Sequence, residues 1–352
     1  MVLYFYLILG LGILLIGGKF LVDGASSLAL RFGMSPGLIG LTVVAFGTSA
    51  PESLVSINAA LKGSSDLALG NVIGSNISNI SLILGISAIV YPIAVHPSVL
   101  KLDYLVMLIS SLLFFLVSLN GTISRLEGAV FFLLLIGVNL YFILKLRLGP
   151  NGVDVTEVVS QPLWKGFSLL ILGIIGLYFG SEILVNNAVT ISQTFGVSER
   201  VIGVTIVAIG TSLPELVTSL IAAIDKKTDL AVGNILGSNI FNILCVLGLA
   251  SMVSPAGIPV AETAIQFDIP VMIAIAAACL PIFFAGRIIS RGNGAMLFGY
   301  YIAYTLYLVM TAQHTPAIHS LNITMLWFVI PLTVITLAIG VGRELRKKTG
   351  SA

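Results

Sequence analysis

Gly40–Ser53 reads GLTVVAFGTSAPES, and Gly203–Leu216 reads GVTIVAIGTSLPEL. Nine of the fourteen positions are identical, at an offset of 163. A second pair keeps the same offset: Gly70–Ile80 (GNVIGSNISNI) and Gly233–Ile243 (GNILGSNIFNI) share eight of eleven positions. Phe32-Gly33 and Asp66-Leu67 recur as Phe195-Gly196 and Asp229-Leu230. No gap is needed anywhere, so the chain carries a duplication.

The duplicated stretches lie in a very apolar chain. Of 352 residues, 57% are hydrophobic and 9% charged, against roughly 25% charged in a soluble domain. Mean hydropathy is +1.10. Such a chain cannot cover itself with polar surface in water, and a net charge of +2 does not point to nucleic acid. The apolar runs have the length of membrane-crossing helices and do not alternate as barrel strands would. Eleven spans are read, at 2–21, 38–61, 69–91, 103–119, 126–146, 164–185, 201–224, 231–254, 268–285, 295–312 and 323–342. The first run has no basic segment ahead of it and no small-residue cleavage site, so it reads as a span and not a signal peptide. With the N-terminus outside, thirteen Lys and Arg fall in inside loops and the tail, and three (Lys62, Arg125 and Arg200) fall outside. This bias puts the C-terminus inside.

Five spans separate equivalent positions, so the second copy enters the membrane in the opposite sense. The expected fold is an all-α polytopic membrane protein made of two inverted-topology five-helix repeats plus one extra C-terminal helix. Residues 1–147 form the first repeat and 148–163 a linker. Residues 164–312 form the second repeat, and 313–352 hold the extra span and a basic inner tail. Inverted repeats are a common architecture of secondary transporters, with sites near the midplane where the copies meet.

Glu52 and Glu215 are the carboxylates placed deepest in these spans, each in G-T-S-x-P-E. An ionisable group there is costly and is a functional candidate; the bland reading is a pair of protonated structural glutamates. Thr48 and Thr211 stand four residues earlier, on the same helix face. Pro51 and Pro214 lack an N–H, which releases the carbonyls of Gly47 and Gly210 from their helical partners. Freed carbonyls at a helix break can hold Na⁺. Asn71, Ser75 and Asn79 form a polar stripe, repeated by Asn234, Ser238 and Asn242; Asn76 and Asn239 lie off it. Asn and Ser also serve as plain hydrogen-bond glue between helices, and Gly70/Gly74 and Gly233/Gly237 are spaced for close helix approach. The donors are all oxygens, the set that suits Ca²⁺ or Na⁺, with Mg²⁺ disfavoured by its reluctance to dehydrate. Two carboxylates are neutralised by one Ca²⁺ or two Na⁺. The two cysteines lie in apolar runs and the three histidines in short connections, so no disulfide, resident metal or other cofactor is expected.

These motifs resemble the α-repeats of the cation/calcium exchanger superfamily, most closely its prokaryotic sodium/calcium antiporter branch, from the first span through the tenth. The resemblance implies that Glu52 and Glu215 bind Ca²⁺ and are shared with Na⁺. It implies that Thr48 and Thr211 are ligands, with the backbone carbonyls of Ala45 and Ala208. It places Ser75 and Ser238 at flanking Na⁺ sites, Asn79 and Asn242 at the last polar position of the central site, and Ser49 and Ser212 as minor ligands. It further implies three Na⁺ for one Ca²⁺, and sliding of the first and sixth spans as the gating motion. Some relatives carry Asp where this chain has Asn242. A proton-coupled branch carries a Glu-His pair in its second signature, which is absent here, and that antiporter is the runner-up reading. A channel and an intramembrane enzyme are further alternatives. The duplication disfavours the first; the second lacks H-E-x-x-H and a nucleophile beside a histidine. The expected setting is a multi-pass protein of the plasma membrane, with Na⁺ and Ca²⁺ as cargo, the bilayer as partner, and no protein partner or enzymatic activity.

Overall fold

In lipid every backbone polar group needs an internal partner, so the chain is built from long helices. The computed structural model describes residues 2–96, 102–148, 162–195, 208–284 and 287–313, with the isolated positions 325 and 338. Its helices are α1 (Val2–Arg31), α2 (Pro36–Thr48), α3 (Ala50–Leu61), α4 (Ser65–Val90), α5 (Tyr104–Ser118), α6 (Arg125–Leu148) and α7 (Leu163–Thr194). They continue as α8 (Ala208–Thr211), α9 (Leu213–Ile224), α10 (Thr228–Val253), α11 (Ala264–Phe283) and α12 (Arg291–Ala312).

Seven of the described helices are long and apolar enough to cross a membrane, or eight if the bent pair α2–α3 is one span. The shorter apolar helices are α5 and α9. The expected extra span at 323–342 and the body of the linker, 149–161, lie outside the described residues. Helix α1 runs ten residues past the expected end at 21, because its backbone ladder continues through a polar turn to Arg31. The chain then reverses at Gly33, whose φ of 64° needs no Cβ.

Helices α4 and α10 form the centre, with 83% and 89% of their apolar stretches buried, against 22% in α6 and 11% in α12. The outer helices turn large apolar side chains outward, among them Ile8, Leu133 and Ile171, as a surface facing lipid requires. Two antiparallel two-residue strand pairs add a feature the sequence did not suggest. They join β1 (Ile93–Ala94) to β4 (Ile288–Ile289) and β2 (Thr122–Ile123) to β3 (Ile258–Pro259). Each ties a loop of the first half to a loop of the second.

The most extensive helix pair is α1 against α7. Their seam is backbone on backbone. A Cβ on Gly17 would lie 2.7 Å from the Leu177 nitrogen, on Gly24 2.6 Å from the Leu170 nitrogen, and on Gly173 2.5 Å from the Leu21 nitrogen. Gly10, Gly17 and Gly24 recur every seven residues, so one face of α1 presents bare backbone over its length. Without hydrophobic drive between helices in lipid, such close packing is the main attraction.

The seam can be tested by a single methyl. Gly173→Ala forces backbone apart and should lower thermal stability in detergent by about 1–3 kcal/mol, the usual cost of overpacking. Gly12→Ala, with nothing within 4 Å of the new carbon, should leave the melting temperature unchanged. Equal melting temperatures for the two variants would show that the seam tolerates separation.

Candidate functional site

Each G-T-S-x-P-E stretch breaks its helix at the serine. Ser49 has φ −84° and ψ 10°, and Ser212 has φ −89° and ψ 9°. Pro51 and Pro214 then occupy the first turn of the next helix, where a missing N–H costs nothing. Helices α2 and α3 meet at 46°. The breaks put Glu52 and Glu215 in the first turns of α3 and α9, both 1% exposed.

The two breaks serve one another. Ser49 donates to Glu215 Oε1 at 2.9 Å, and Ser212 donates to Glu52 Oε1 at 3.2 Å. The threonines cross in the same way: Thr48 donates to Asn234 Oδ1 at 3.2 Å and Thr211 to Asn71 Oδ1 at 3.4 Å. The amide nitrogens of Asn71 and Asn234 in turn donate to Ser56 and Ser219, both at 2.9 Å. Ser75 Oγ lies 3.4 Å from Ser212 Oγ. Thus Glu52, Glu215, Thr48, Thr211, Ser49, Ser212 and Ser75 form one cluster, tied together by side chains from both copies.

Among the described residues, Glu52 Oε2 and Glu215 Oε2 of this cluster have no hydrogen-bond partner, nor do Asn79 Oδ1 on α4 and Ser238 Oγ and both polar atoms of the Asn242 amide on α10. A buried ionised oxygen without a partner is strongly destabilising, so the arrangement calls for a cation or protons. The oxygens on offer are hard donors, suited to Ca²⁺ or Na⁺.

Helices α4 and α10 each contain a π-turn where the second signature ends, at Asn79–Ile83 and Asn242–Leu247. Such bulges are frequent at functional sites. The Asn79 amide nitrogen donates to Asn239 Oδ1 at 3.1 Å, and Asn239 donates to the Met107 sulfur at 3.4 Å. Asn239, off the expected stripe, is therefore part of the support. Asn71, on the stripe, is spent on Ser56, on the Glu52 carbonyl at 3.2 Å and on Thr211. Gly233 and Gly237 let α10 press on α2, since added Cβ atoms would lie 2.1 Å from the Gly37 oxygen and 2.4 Å from the Leu41 oxygen. By the repeat register, the counterparts for Gly70 and Gly74 fall in 200–204, outside the described residues.

One carbonyl expectation changes. The Gly210 carbonyl is taken by the Ser181 hydroxyl of α7 at 2.8 Å. The Ala45 carbonyl accepts the Ser49 N–H at 3.0 Å, and the Thr48 hydroxyl lies 3.3 Å from it with its one proton shared with Asn234 Oδ1. Ala208 opens α8, and the stretch before it, 203–207, lies outside the described residues. The sequence reading missed Ser56, Ser219 and Ser181. Ser56 and Ser219 stand four residues after the glutamates at the same offset of 163, so extending the signatures by one turn finds them. Ser181 has glycine, Gly18, at its matching position and no repeat signal marks it.

The hydrogen bonds of this support predict unequal costs. Ser219→Ala leaves the buried Asn234 amide N–H without its acceptor and should destabilise by about 1–3 kcal/mol. Ser87→Ala removes a buried hydroxyl that has no partner and should be neutral or stabilising in the same thermal assay.

The model of the sodium/calcium exchanger protein family matches residues 2–144 and 165–310. The chain is 40% identical over 310 residues to the putative antiporter CaxA of Alkalimonas amylolytica, covering 85% of this chain and 96% of the relative. It is 33% identical over 346 residues to the sodium/calcium exchanger MaX1 of Methanosarcina acetivorans, covering 87% and 98%. A more distant relative is the Ca²⁺/H⁺ antiporter ChaA of Bacillus subtilis, 28% identical over 281 residues and covering 73% and 78%. Among solved structures, the sodium-calcium exchanger NCX_Mj soaked with 10 mM Na⁺ and 10 mM Sr²⁺ superposes with a TM-score of 0.75 at 32% identity, covering 88% of this chain and 97% of the other.

Proposed function

The chain belongs to the sodium/calcium exchanger protein family, and we propose that it exchanges Na⁺ for Ca²⁺ across the plasma membrane by alternating access, with both ions sharing Glu52 and Glu215. Membership makes it a multi-pass membrane transporter of the exchanger type. The observation that carries the finer reading is the set of partnerless buried oxygens on Glu52, Glu215, Asn79, Ser238 and Asn242. On the proposal, Thr48, Thr211, Ser49, Ser212, Ser75 and the carbonyls of Ala45 and Ala208 complete this ligand set. The two halves, 1–147 and 164–312, act as inverted five-helix repeats with the N-terminus outside. Residues 313–352 add an eleventh span and an inner tail. No resident cofactor is needed; the ions are cargo.

Exchange follows from charge. Two buried carboxylates without cations resist occlusion, because uncompensated charge in a dry interior costs several kcal/mol per ion. One Ca²⁺ or two Na⁺ relieves that cost, so the helices can close around either load and not around none. The Asn242 amide suits this traffic. It presents an oxygen to a cation and an N–H₂ to a carboxylate, and both are without a fixed partner.

Proton coupling is the second reading, favoured by the match to a Ca²⁺/H⁺ antiporter. The deciding experiment is ⁴⁵Ca²⁺ uptake into proteoliposomes with an imposed Na⁺ gradient or an imposed pH gradient. Uptake should require internal Na⁺ and survive collapse of the proton gradient. Uptake driven equally by a pH gradient without Na⁺ would overturn the sodium assignment. Glu52→Gln and Glu215→Gln keep shape and remove one charge each. Either should abolish Ca²⁺ flux while the protein remains monodisperse, and near-normal flux in both would leave the glutamates a structural role only.

A further inference from the structure

The two halves are alike at the ion cluster and unlike at the flanks. On one flank α1 packs along α9. A Cβ on Gly18 would lie 2.7 Å from Val217 and 2.9 Å from Ile221, and Val217 is 6% exposed. Beside this contact lie four charges. Lys19 pairs with Asp225 at 2.6 Å and Asp23 at 3.3 Å, and Lys227 pairs with Asp23 at 3.1 Å and Asp225 at 3.9 Å. The cluster ties α1 to the turn between α9 and α10.

The offset of 163 carries Lys19 onto Glu182 and Asp225 onto Lys62. The pair is kept with its signs exchanged: Glu182 on α7, Lys62 at the turn between α3 and α4. Its members are apart, since both are exposed and among the described residues they form no ion pair. The packing differs in the same way. Helix α7 makes no comparable contact with α3, and Leu54, the match of Val217, is 50% exposed. Asp23 and Lys227 have no charged match, since Asn186 and Ser64 stand at those positions.

We infer that Lys19–Asp225 and Lys62–Glu182 are reciprocal latches, one made when α1 closes on α9 and the other when α7 closes on α3. The inference rests on the proposed alternating access, in which the two halves exchange conformations between states. The structure then holds one flank shut and the other open. With four charges on the shut flank against two on the open one, the resting balance favours the state seen here. The members are 25–48% exposed, so each pair shifts the balance by about fivefold at most and does not lock it.

The test uses the full chain in proteoliposomes. Lys19→Cys/Asp225→Cys and Lys62→Cys/Glu182→Cys are each treated with a short bifunctional thiol reagent in Na⁺, in Ca²⁺ and in choline. The two pairs should cross-link in opposite order across these conditions, and either cross-link should arrest Ca²⁺ flux. Cross-linking of both pairs to the same extent in every condition, or none at Lys62/Glu182 while flux continues, would overturn the latch. A charge cycle guards against misfolded cysteine variants. Lys62→Glu alone should slow exchange by about fivefold at most, and Lys62→Glu with Glu182→Lys should restore it. A double variant no faster than the single one counts against the pair. Wild-type flux under a Na⁺ gradient reports separately on the exchange reading; if flux fails, opposite cross-linking still supports the latch and equal cross-linking still overturns it.

Discussion

Two carboxyl groups stand in the dry centre of an apolar bundle, each with one oxygen bonded to a serine of the other half and one without a partner. The fold accommodates that cost. The helices break at Ser49 and Ser212 so that the glutamates enter at first turns, where a helix N-terminus favours negative charge. Helices α4 and α10 are the most buried and carry the amides and hydroxyls inward. The apolar outer helices leave the polar groups of the centre no competitor from lipid.

Because each half donates to the other, neither copy of the signature makes a site alone. Thr48 needs Asn234, Thr211 needs Asn71, and each glutamate needs the opposite serine. This reciprocity explains why both copies of so costly a group are present in one chain. It also explains why the likeness of the halves is closest there and weakest at the flanks. On the proposed alternating access, a cluster that accepts one load from either direction gains from symmetry, whereas flanks in two different states have to differ at any one moment.

Much of this was legible in the sequence. The paired signatures gave the glutamates, threonines and serines, and the apolar runs gave helices close to those found, although 38–61 reads as one span and is bent into α2 and α3. What was not legible depends on contacts made at a distance. The stripe Asn71–Ser75–Asn79 is read along one helix, and no pattern within α4 shows that Asn79 meets Asn239 of α10 across the halves. Proline accounts for a released Gly210 carbonyl, yet only the packing of α7 shows that Ser181 takes it. The short strand pairs carry no pattern of their own; they exist because the bundle brings four loop ends together.

The weakness of the flanking contacts belongs to the same logic. A transporter needs its two states within a few kcal/mol, or one is never visited. Half-exposed ion pairs supply small increments of that size, and salt screens them further. The large energies stay at the centre, where a cation is present or absent, and the periphery contributes only enough to choose between states. Stronger flanks would hold one state whatever the load, and the charge of the ion could then no longer decide which way the protein faces.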